Sequence, residues 1–478
     1  MDRLSTLDSS FLRVESPAAH MHVGWLSRLR LPEGARALDA ELLRERIAAR
    51  LHLAPRFRQV VRPLPLGEPA WSDHPNFDLD SHVRVVPGAI GEAELQELCD
   101  EFLSNRLDRS QPLWEILVAC ELEGGRAAVA GKVHHAMVDG IAAVELGMLL
   151  FDLSPSVEAS EPPVWEPEPA AAGLRIAVDA VADSALDQFR AARKVAALGL
   201  APGRTASLAR TMRRAALSVA EEALSPAPPS YLNAGLGPGR TLVTQQISLT
   251  RLLSIKQRLG VKLNDVVLAL AAGAMRRFAA TIDEEPRPLR AMVPVSVRRE
   301  GEAGGNRITF AFVDLPCDEP SPLRRVALVH SQTQALKNSG RIDGSEAILR
   351  SASVLPGFLK DRAARLAASP RLYNLTVSNV PGPGAPLFAA GAMVEDIYPV
   401  IPLADEHLLS IGVLSYRERL HFAAYADPNA LPEVEDLGNL LATAVGEHER
   451  AARHGARGRR RPATEGKGQR GRVGARIL

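Results

Sequence analysis

Cysteine is scarce in this 478-residue chain: Cys99, Cys120 and Cys317 are the only three. None lies in a CxxC pair, and an odd number cannot all pair within one chain. That argues against a disulfide framework and for a reduced, cytoplasmic setting. Long apolar runs are also missing. The longest, such as 266–275, fall well short of the roughly 18–20 residues a membrane span needs. Asp2, Arg3, Asp8 and Arg13 interrupt the N-terminal apolar residues, so no signal-peptide core is expected. No GxGxxG follows a strand pattern, and there is no Walker A loop, HExxH or GxSxG. Hydride transfer, nucleotide hydrolysis and serine-esterase chemistry lose weight accordingly. No repeat at solenoid period is present.

The composition itself is ordinary, with 46% hydrophobic and 24% charged residues. It excludes a mostly disordered or collagen-like chain, and the length suits two to four domains. The formal net charge of +1 hides an asymmetry. From Arg453 onward there are nine basic residues and one acid, Glu465, so the tail carries +8 and the body −7. A body of that sign is a poor general binder of phosphate backbones, and no nucleic-acid partner is expected. A basic, Gly-rich tail reads as disordered, and could offset the repulsion between an acidic body and an anionic lipid surface.

Apolar periodicity predicts helices over 38–51 and 95–103, and a strand over 82–86 that Pro87-Gly88 should end. Two strands over 113–122 and 126–134 join through Glu123-Gly124-Gly125 as a hairpin. A helix over 141–153 closes this part, and residues 154–172, with five prolines and several glutamates, form a linker or crossover. An Ala- and Arg-rich helical pattern covers 175–224. The second half restarts with a strand over 241–249 and a long helix over 265–282, which Asn264 is placed to cap. Strands follow over 291–297, 308–315, 374–378, 408–414 and 420–425, with helices over 322–337 and 431–453. The expected organisation is an N-terminal domain (1–153), a Pro-rich and helical crossover (154–239), a C-terminal domain (240–453) and a basic tail (454–478). Both domains are α/β and layered.

One segment carries chemistry: Lys132-Val133-His134-His135-Ala136-Met137-Val138-Asp139-Gly140. Two histidines leave a predicted strand, an acid follows four residues after the second, and a glycine opens the next helix. A strand-end loop is where rigid scaffolds present reactive groups. Histidine is the side chain best suited to take a proton from an alcohol near neutral pH. Because side chains alternate along a strand, His134 and His135 point opposite ways while the strand persists. Asp139 can hold the loop through charge-assisted bonds, and Gly140 allows the sharp turn. An isolated HH pair is most simply a buried structural pair; the full HHxxxDG spacing favours an active site.

HHxxxDG is the signature of the CoA-dependent acyltransferase superfamily, and within it the chain resembles the bacterial wax ester synthase/diacylglycerol acyltransferase family. The matching pieces occur in order. They are Leu4-Ser5-Thr6-Leu7-Asp8 with Phe11-Leu12, His20-Met21-His22-Val23-Gly24, Pro112-Leu113-Trp114-Glu115, the HHxxxDG segment, Asn264-Asp265-Val266-Val267-Leu268-Ala269, Val293-Pro294-Val295-Ser296-Val297-Arg298, Gly305-Asn306-Arg307 and Ser378-Asn379-Val380-Pro381-Gly382-Pro383. The resemblance runs from residue 4 to about 450.

It implies two chloramphenicol-acetyltransferase-like mixed-sheet domains with a channel between them. It implies acyl-CoA as co-substrate, with no cofactor, metal or covalent acyl-enzyme, and diacylglycerol or a long-chain alcohol as acceptor. The products would be triacylglycerol or wax ester, and the protein would be cytoplasmic, with room for peripheral contact with a membrane or lipid droplet. By the same resemblance His135 is the general base, with His134, Asp139 and Gly140 completing the catalytic motif and Asp139 orienting the loop. Asn264 and Asp265 belong to a motif associated with the site; equally, they are the residue types of a helix N-cap and first turn. Arg307 is a candidate partner for Asp139 or for CoA phosphate, or a surface arginine. His20 and His22 read as an ordinary strand, with a metal pair as the lesser alternative. Two other functions stay open: a condensation-type or polyketide-associated acyltransferase, and a non-catalytic lipid-binding relative. The intact motif speaks against the second.

Overall fold

A computed structural model of the protein describes residues 2–64, 68–137, 147, 149–156, 164–168, 226–296, 308–338 and 357–459. Its first half contains α1 (Thr6–Val14), β1 (His22–Arg30), α2 (Ala40–Arg50), β2 (Gln59–Arg62), β3 (Ala70–Asp73), β4 (Val83–Ile90), α3 (Glu92–Ser104), β5 (Trp114–Leu122) and β6 (Arg126–His134). The second half contains β7 (Thr241–Ser248), α4 (Leu249–Leu259), α5 (Leu263–Thr281), β8 (Leu289–Ser296), β9 (Ile308–Leu315), α6 (Pro322–Asn338) and α7 (Gly357–Ala367). It continues with β10 (Leu375–Pro381), β11 (Phe388–Ala389), β12 (Ala392–Val394), β13 (Tyr398–Val400), β14 (Leu409–Tyr416), β15 (Arg419–Ala426) and α8 (Leu437–Arg459).

Two mixed sheets result. One is ordered β11-β12-β1-β6-β5-β4, with β13 also paired to β1; the other is ordered β7-β15-β14-β10-β8-β9. The β5–β6 hairpin forms across Gly124 and Gly125, both in the left-handed region at φ 79 and 68. Residues 388–400 leave the second sheet and complete the first, so the second half of the chain contributes three short strands, β12 and β13 beside β1 and β11 beside β12. The two halves meet across a shared apolar cluster that includes Leu95, Phe102 and Leu117 with Leu242, Tyr398 and Tyr425. Polar ties run across the same seam. Asp100 accepts from Thr241 Oγ1 at 2.8 Å and Leu242 N at 3.0 Å, and Tyr425 donates to the Leu103 carbonyl at 3.2 Å.

The core of the second half is built on α5, whose residues from Asp265 to Met275 are all buried. The longest apolar run is therefore a central helix, with each enclosed Val or Leu side chain worth roughly 1.5–3 kcal/mol. No helix among the described residues is long and apolar enough to cross a membrane.

Several expectations shift. β4 does not stop at Pro87-Gly88 but runs to Ile90 with an irregularity in register between Val86 and Ala89. It is an edge strand, where a proline's missing N–H is tolerated and a bulge absorbs the extra residue. Asn264 does not cap α5. The helix starts at Leu263 with Lys262 as its cap residue, because the Asp265 carboxylate reaches back to the Lys262 N–H at 3.0 Å. The last helix begins at Leu437, after a 3₁₀ turn over Pro432–Asp436, and reaches Arg459, six residues past the expected end. The helical patterns over 175–224 and most of 141–153, and the tail beyond 459, lie outside the described residues.

Candidate active site

The site is assembled at the end of β6. β1 and β6 pair antiparallel with His22 opposite His134. Their close approach depends on glycine: a Cβ on Gly24 would sit 2.5 Å from the Gly131 carbonyl, and one on Gly131 would overlap the Trp25 indole. Lys132 anchors the strand just before the histidines. Its side chain is fully buried and its ammonium donates to the carbonyls of Phe102 and Asn105, both at 2.7 Å, and lies 3.1 Å from Glu115. Trp114, of the Pro112-Leu113-Trp114 motif, is buried at the start of β5, donates to the Phe57 carbonyl at 2.8 Å and stacks on His82.

Past His134 the chain enters a single 3₁₀ turn, His135–Met137. The His134 backbone N–H donates to Leu113 and that of His135 to Met21, at 2.9 and 2.8 Å. Met21 holds φ at 50°, a left-handed conformation for a non-glycine residue, which costs free energy and persists only where the surroundings enforce it. The His134 Nδ1 accepts the Ala136 N–H at 3.0 Å. That nitrogen therefore carries no proton, so the proton of the neutral ring sits on Nε2, which faces Glu15 at 3.7 Å. Burial lowers the His134 pKa, and the Glu15 charge opposes this without overturning it. The Glu15 carboxylate, itself only 2% exposed, is also bound by Arg109 and by Arg106 at 3.1 Å. Burial alone would raise its pKa; the adjacent His134 ring and the Arg109 bond bring it down to about 2.

His135 projects away from this acid. Its ring stacks on Phe11 of α1, with centroids 3.7 Å apart and planes 12° from parallel. Its Nδ1 is buried without a hydrogen-bond partner among the described residues, while the residue as a whole keeps partial exposure. Burial lowers its pKa to about 4, against an opposing interaction with its own backbone. His135 is thus a neutral imidazole at neutral pH.

Asn264 and Asp265 are brought together with residues that sequence reasoning did not single out. Asp265 is 1% exposed; it takes the Lys262 N–H, the His330 ring at 2.7 Å and the Thr333 hydroxyl at 2.7 Å. These bonds hold its pKa below the usual carboxylate value despite burial. The Asn264 side-chain oxygen accepts from Asn379 at 3.3 Å, joining the Asn264-Asp265 motif to the Ser378-Asn379-Val380 motif on β10. Asp139, Gly140 and Arg307 lie outside the described residues. His20 and His22 are buried, but no group of three or more His, Cys, Asp or Glu side chains suited to a metal ion occurs among the described residues.

Phe11, Glu15, Arg106 and Arg109 were the functional neighbours the sequence did not disclose. Phe11 stood within the Leu4–Leu12 motif as an apolar residue, and nothing local marks Glu15 as a partner of a histidine 119 positions later.

Two sheet-rich α/β domains with a histidine pair at a strand end define a chloramphenicol-acetyltransferase-like acyltransferase fold. Solved structures agree. The first condensation domain of the calcium-dependent antibiotic synthetase shares this fold at TM-score 0.59 and 17% identity, covering 95% of this chain and 97% of that one. The wax ester synthase/diacylglycerol acyltransferase from Marinobacter aquaeolei VT8 matches at TM-score 0.65 and 26% identity, over 94% of this chain and 99% of that one.

Family models narrow the class further. The wax ester synthase/diacylglycerol acyltransferase catalytic domain matches residues 4–267, and the WS/DGAT C-terminal domain matches residues 304–447. Among similar sequences, "Probable diacyglycerol O-acyltransferase tgs2" of Mycobacterium tuberculosis is 32% identical over 94% of this chain and 99% of its own. "Probable diacyglycerol O-acyltransferase tgs1" of the same species is 33% identical over 93% and 95%. The chain belongs to the wax ester synthase/diacylglycerol acyltransferase family, and it is an acyltransferase.

Proposed function

We propose that the protein transfers a long acyl chain from acyl-CoA to the hydroxyl of diacylglycerol, a long-chain alcohol or both, with His135 as general base. The observation that carries this reading is the neutral His135 imidazole, stacked on Phe11 and only partly enclosed at the end of β6. With Nδ1 buried, Nε2 is the nitrogen that meets an acceptor. It takes the hydroxyl proton as the oxygen attacks the thioester carbonyl carbon. The carbon–sulfur bond then breaks, and the imidazolium returns its proton to the departing CoA thiolate. Such a base supplies roughly 10²–10⁴-fold, the rest coming from positioning both substrates and stabilising the oxyanion.

A direct attack fits the state of the thiols. Burial pushes Cys99 and Cys317 up to about 12, too high for a nucleophilic thiolate. His134, whose Nδ1 is occupied by Ala136, fixes the turn that presents His135. Asp139, Gly140 and Arg307 keep the roles the family resemblance gives them, as parts of the same proposal, and no cofactor or metal enters it.

Purified enzyme, labelled palmitoyl-CoA and a panel of diacylglycerol, hexadecanol and amine acceptors test the reading. Labelled triacylglycerol or wax ester with free CoA is expected. Amide product alone, or CoA release without ester, would reject it. The same proposal includes peripheral contact with lipid through the basic tail. Removing residues 460–478 should lower sedimentation with anionic liposomes at low salt and leave turnover of detergent-dispersed substrate unchanged. Equal sedimentation of both proteins would remove the tail from the picture.

A further inference from the structure

We propose that Phe11 is a positioning residue for His135, fixing the plane of its imidazole and keeping water from one face, and that Arg13 locks Phe11's helix to the second half of the molecule. The inference rests on the reading of His135 as the base.

The geometry is that of a wedge. On a helix, residues two apart diverge by about 200°, so Phe11 and Arg13 leave α1 on opposite sides. Phe11 lies flat on His135 at 3.7 Å. Arg13 reaches away and binds Asp361 of α7 at 2.5 Å and Glu68, ahead of β3, at 2.5 Å. Lys360 of α7 binds the other oxygen of Glu68 at 2.7 Å. Four alternating charges thus pin one side of the helix while its other side carries the ring that covers the imidazole. Arg13, Glu68 and Lys360 are only 20%, 12% and 14% exposed, so solvent screens this clamp less than an ordinary surface pair. The other end of α1 is fixed by Ser5, which caps it through the Asp8 N–H.

A flat aromatic cover does two things for a base. It removes the rotation of the ring about its Cβ–Cγ bond, and it deprives the charged form of hydration on that face. The described ionisable groups around the turn do neither. On β6, Lys132 points to α3 and His134 to Glu15. On α1, Asp8 is bonded to Ser5 and Arg13 faces the clamp. In the approach to β1, the His20 ring contacts the Pro17 carbonyl and His22 is buried against His134. Among the described residues, Phe11 is the group stacked directly on the imidazole.

The test reads the imidazole itself. In full-length enzyme labelled with ¹³C-histidine, the His135 resonance is identified by its loss in His135→Gln, and its titration is followed by NMR. In the wild type its midpoint should lie near 4. Phe11→Ala should raise it by about one unit or more and move the acid limb of kcat/KM with it. The same variant should lower kcat roughly tenfold while KM for acyl-CoA changes little. Phe11→Tyr keeps the stack and should restore both. Should Phe11→Ala fail to fold, Phe11→Leu, which fills the space without a ring face, should show a smaller shift in the same direction. A folded Ala or Leu variant with an unmoved His135 midpoint overturns the inference, as does a Tyr variant impaired as badly as Ala. A His135→Ala enzyme that keeps its rate would instead overturn the base reading, and the NMR titration would still judge the stack.

Discussion

The end of β6 and the start of α5 each carry a motif of this family, yet they treat their polar atoms in opposite ways. At the end of β6, His135 keeps a neutral ring with partial exposure and, among the described residues, no hydrogen-bond partner on Nδ1. At the start of α5, Asp265 has both oxygens occupied, by a backbone N–H, a hydroxyl and an imidazole. A group that must exchange a proton with substrate needs an accessible ring nitrogen, which the partial exposure of His135 allows at Nε2; one that must hold a helix start needs none. The two regions should therefore fail differently when cut. His135→Ala should lower the acyl-transfer rate by about 10²-fold or more with an unchanged unfolding curve. Asp265→Ala should leave rate per folded molecule close to wild type but cost about 3 kcal/mol in denaturant unfolding, because His330 and Thr333 lose a buried partner. If Asp265→Ala is fully stable and inactive, Asp265 belongs with the chemistry and the contrast fails.

A smaller effect comes from Glu15, which stands behind His134 as His330 stands beside Asp265. Glu15→Gln keeps the shape and removes the charge shared with Arg106 and Arg109. Both arginines are about half exposed, so the stability cost should be about 1–2 kcal/mol, with a partial loss of rate. The pH response follows from the same groups. The folded-state pKa values of His20 and His135 lie near 4, below the usual 6.5. The unfolded chain thus binds more protons between those values, so their contribution is present above pH 6.5 and is lost as pH falls toward 4. Glu15, near 2 when folded and 4.5 otherwise, adds a contribution present above about pH 4.5 and lost as pH falls to 2. Urea midpoints should decline steadily from pH 7 to 4. A flat profile would mean that these histidines remain solvated in the folded protein.

Much of this site could be read before the structure. The β5–β6 hairpin, the histidine pair at its exit and the buried helix that carries Asn264 in its first turn all follow from local pattern: alternation, a Gly-Gly turn and an unbroken apolar run. What escaped was set by contacts distant in sequence. Apolar periodicity does not predict α1, and its Phe11 meets His135 across 124 positions of sequence. β11, β12 and β13 are two or three residues long, too short for periodicity to register; β12 and β13 pair with β1 more than 350 positions away, and β11 pairs with β12. Lys262, not Asn264, is the cap residue: the helix starts at Leu263, one residue before Asn264, and the Asp265 carboxylate three residues into it accepts the Lys262 N–H.

The smallest expected effect concerns the bond that ties the two second-half motifs together. Asn379 lies on β10 and Asn264 in the first turn of α5, 115 residues apart, and their side chains meet at 3.3 Å. Both are partly buried, so the contact replaces water on each side and should be worth about 0.5–1.5 kcal/mol. A double-mutant cycle with Asn264→Ala, Asn379→Ala and the pair isolates that coupling. The expected result is a coupling within that range in unfolding free energy, with rates per folded molecule altered no more by the pair than by the worse single variant. Strong coupling in kcat without coupling in stability would move Asn264 and Asn379 from scaffold to substrate contact. The start of α5 would then resemble the end of β6 after all, with Asn264 facing the reaction while its neighbour Asp265 holds the helix.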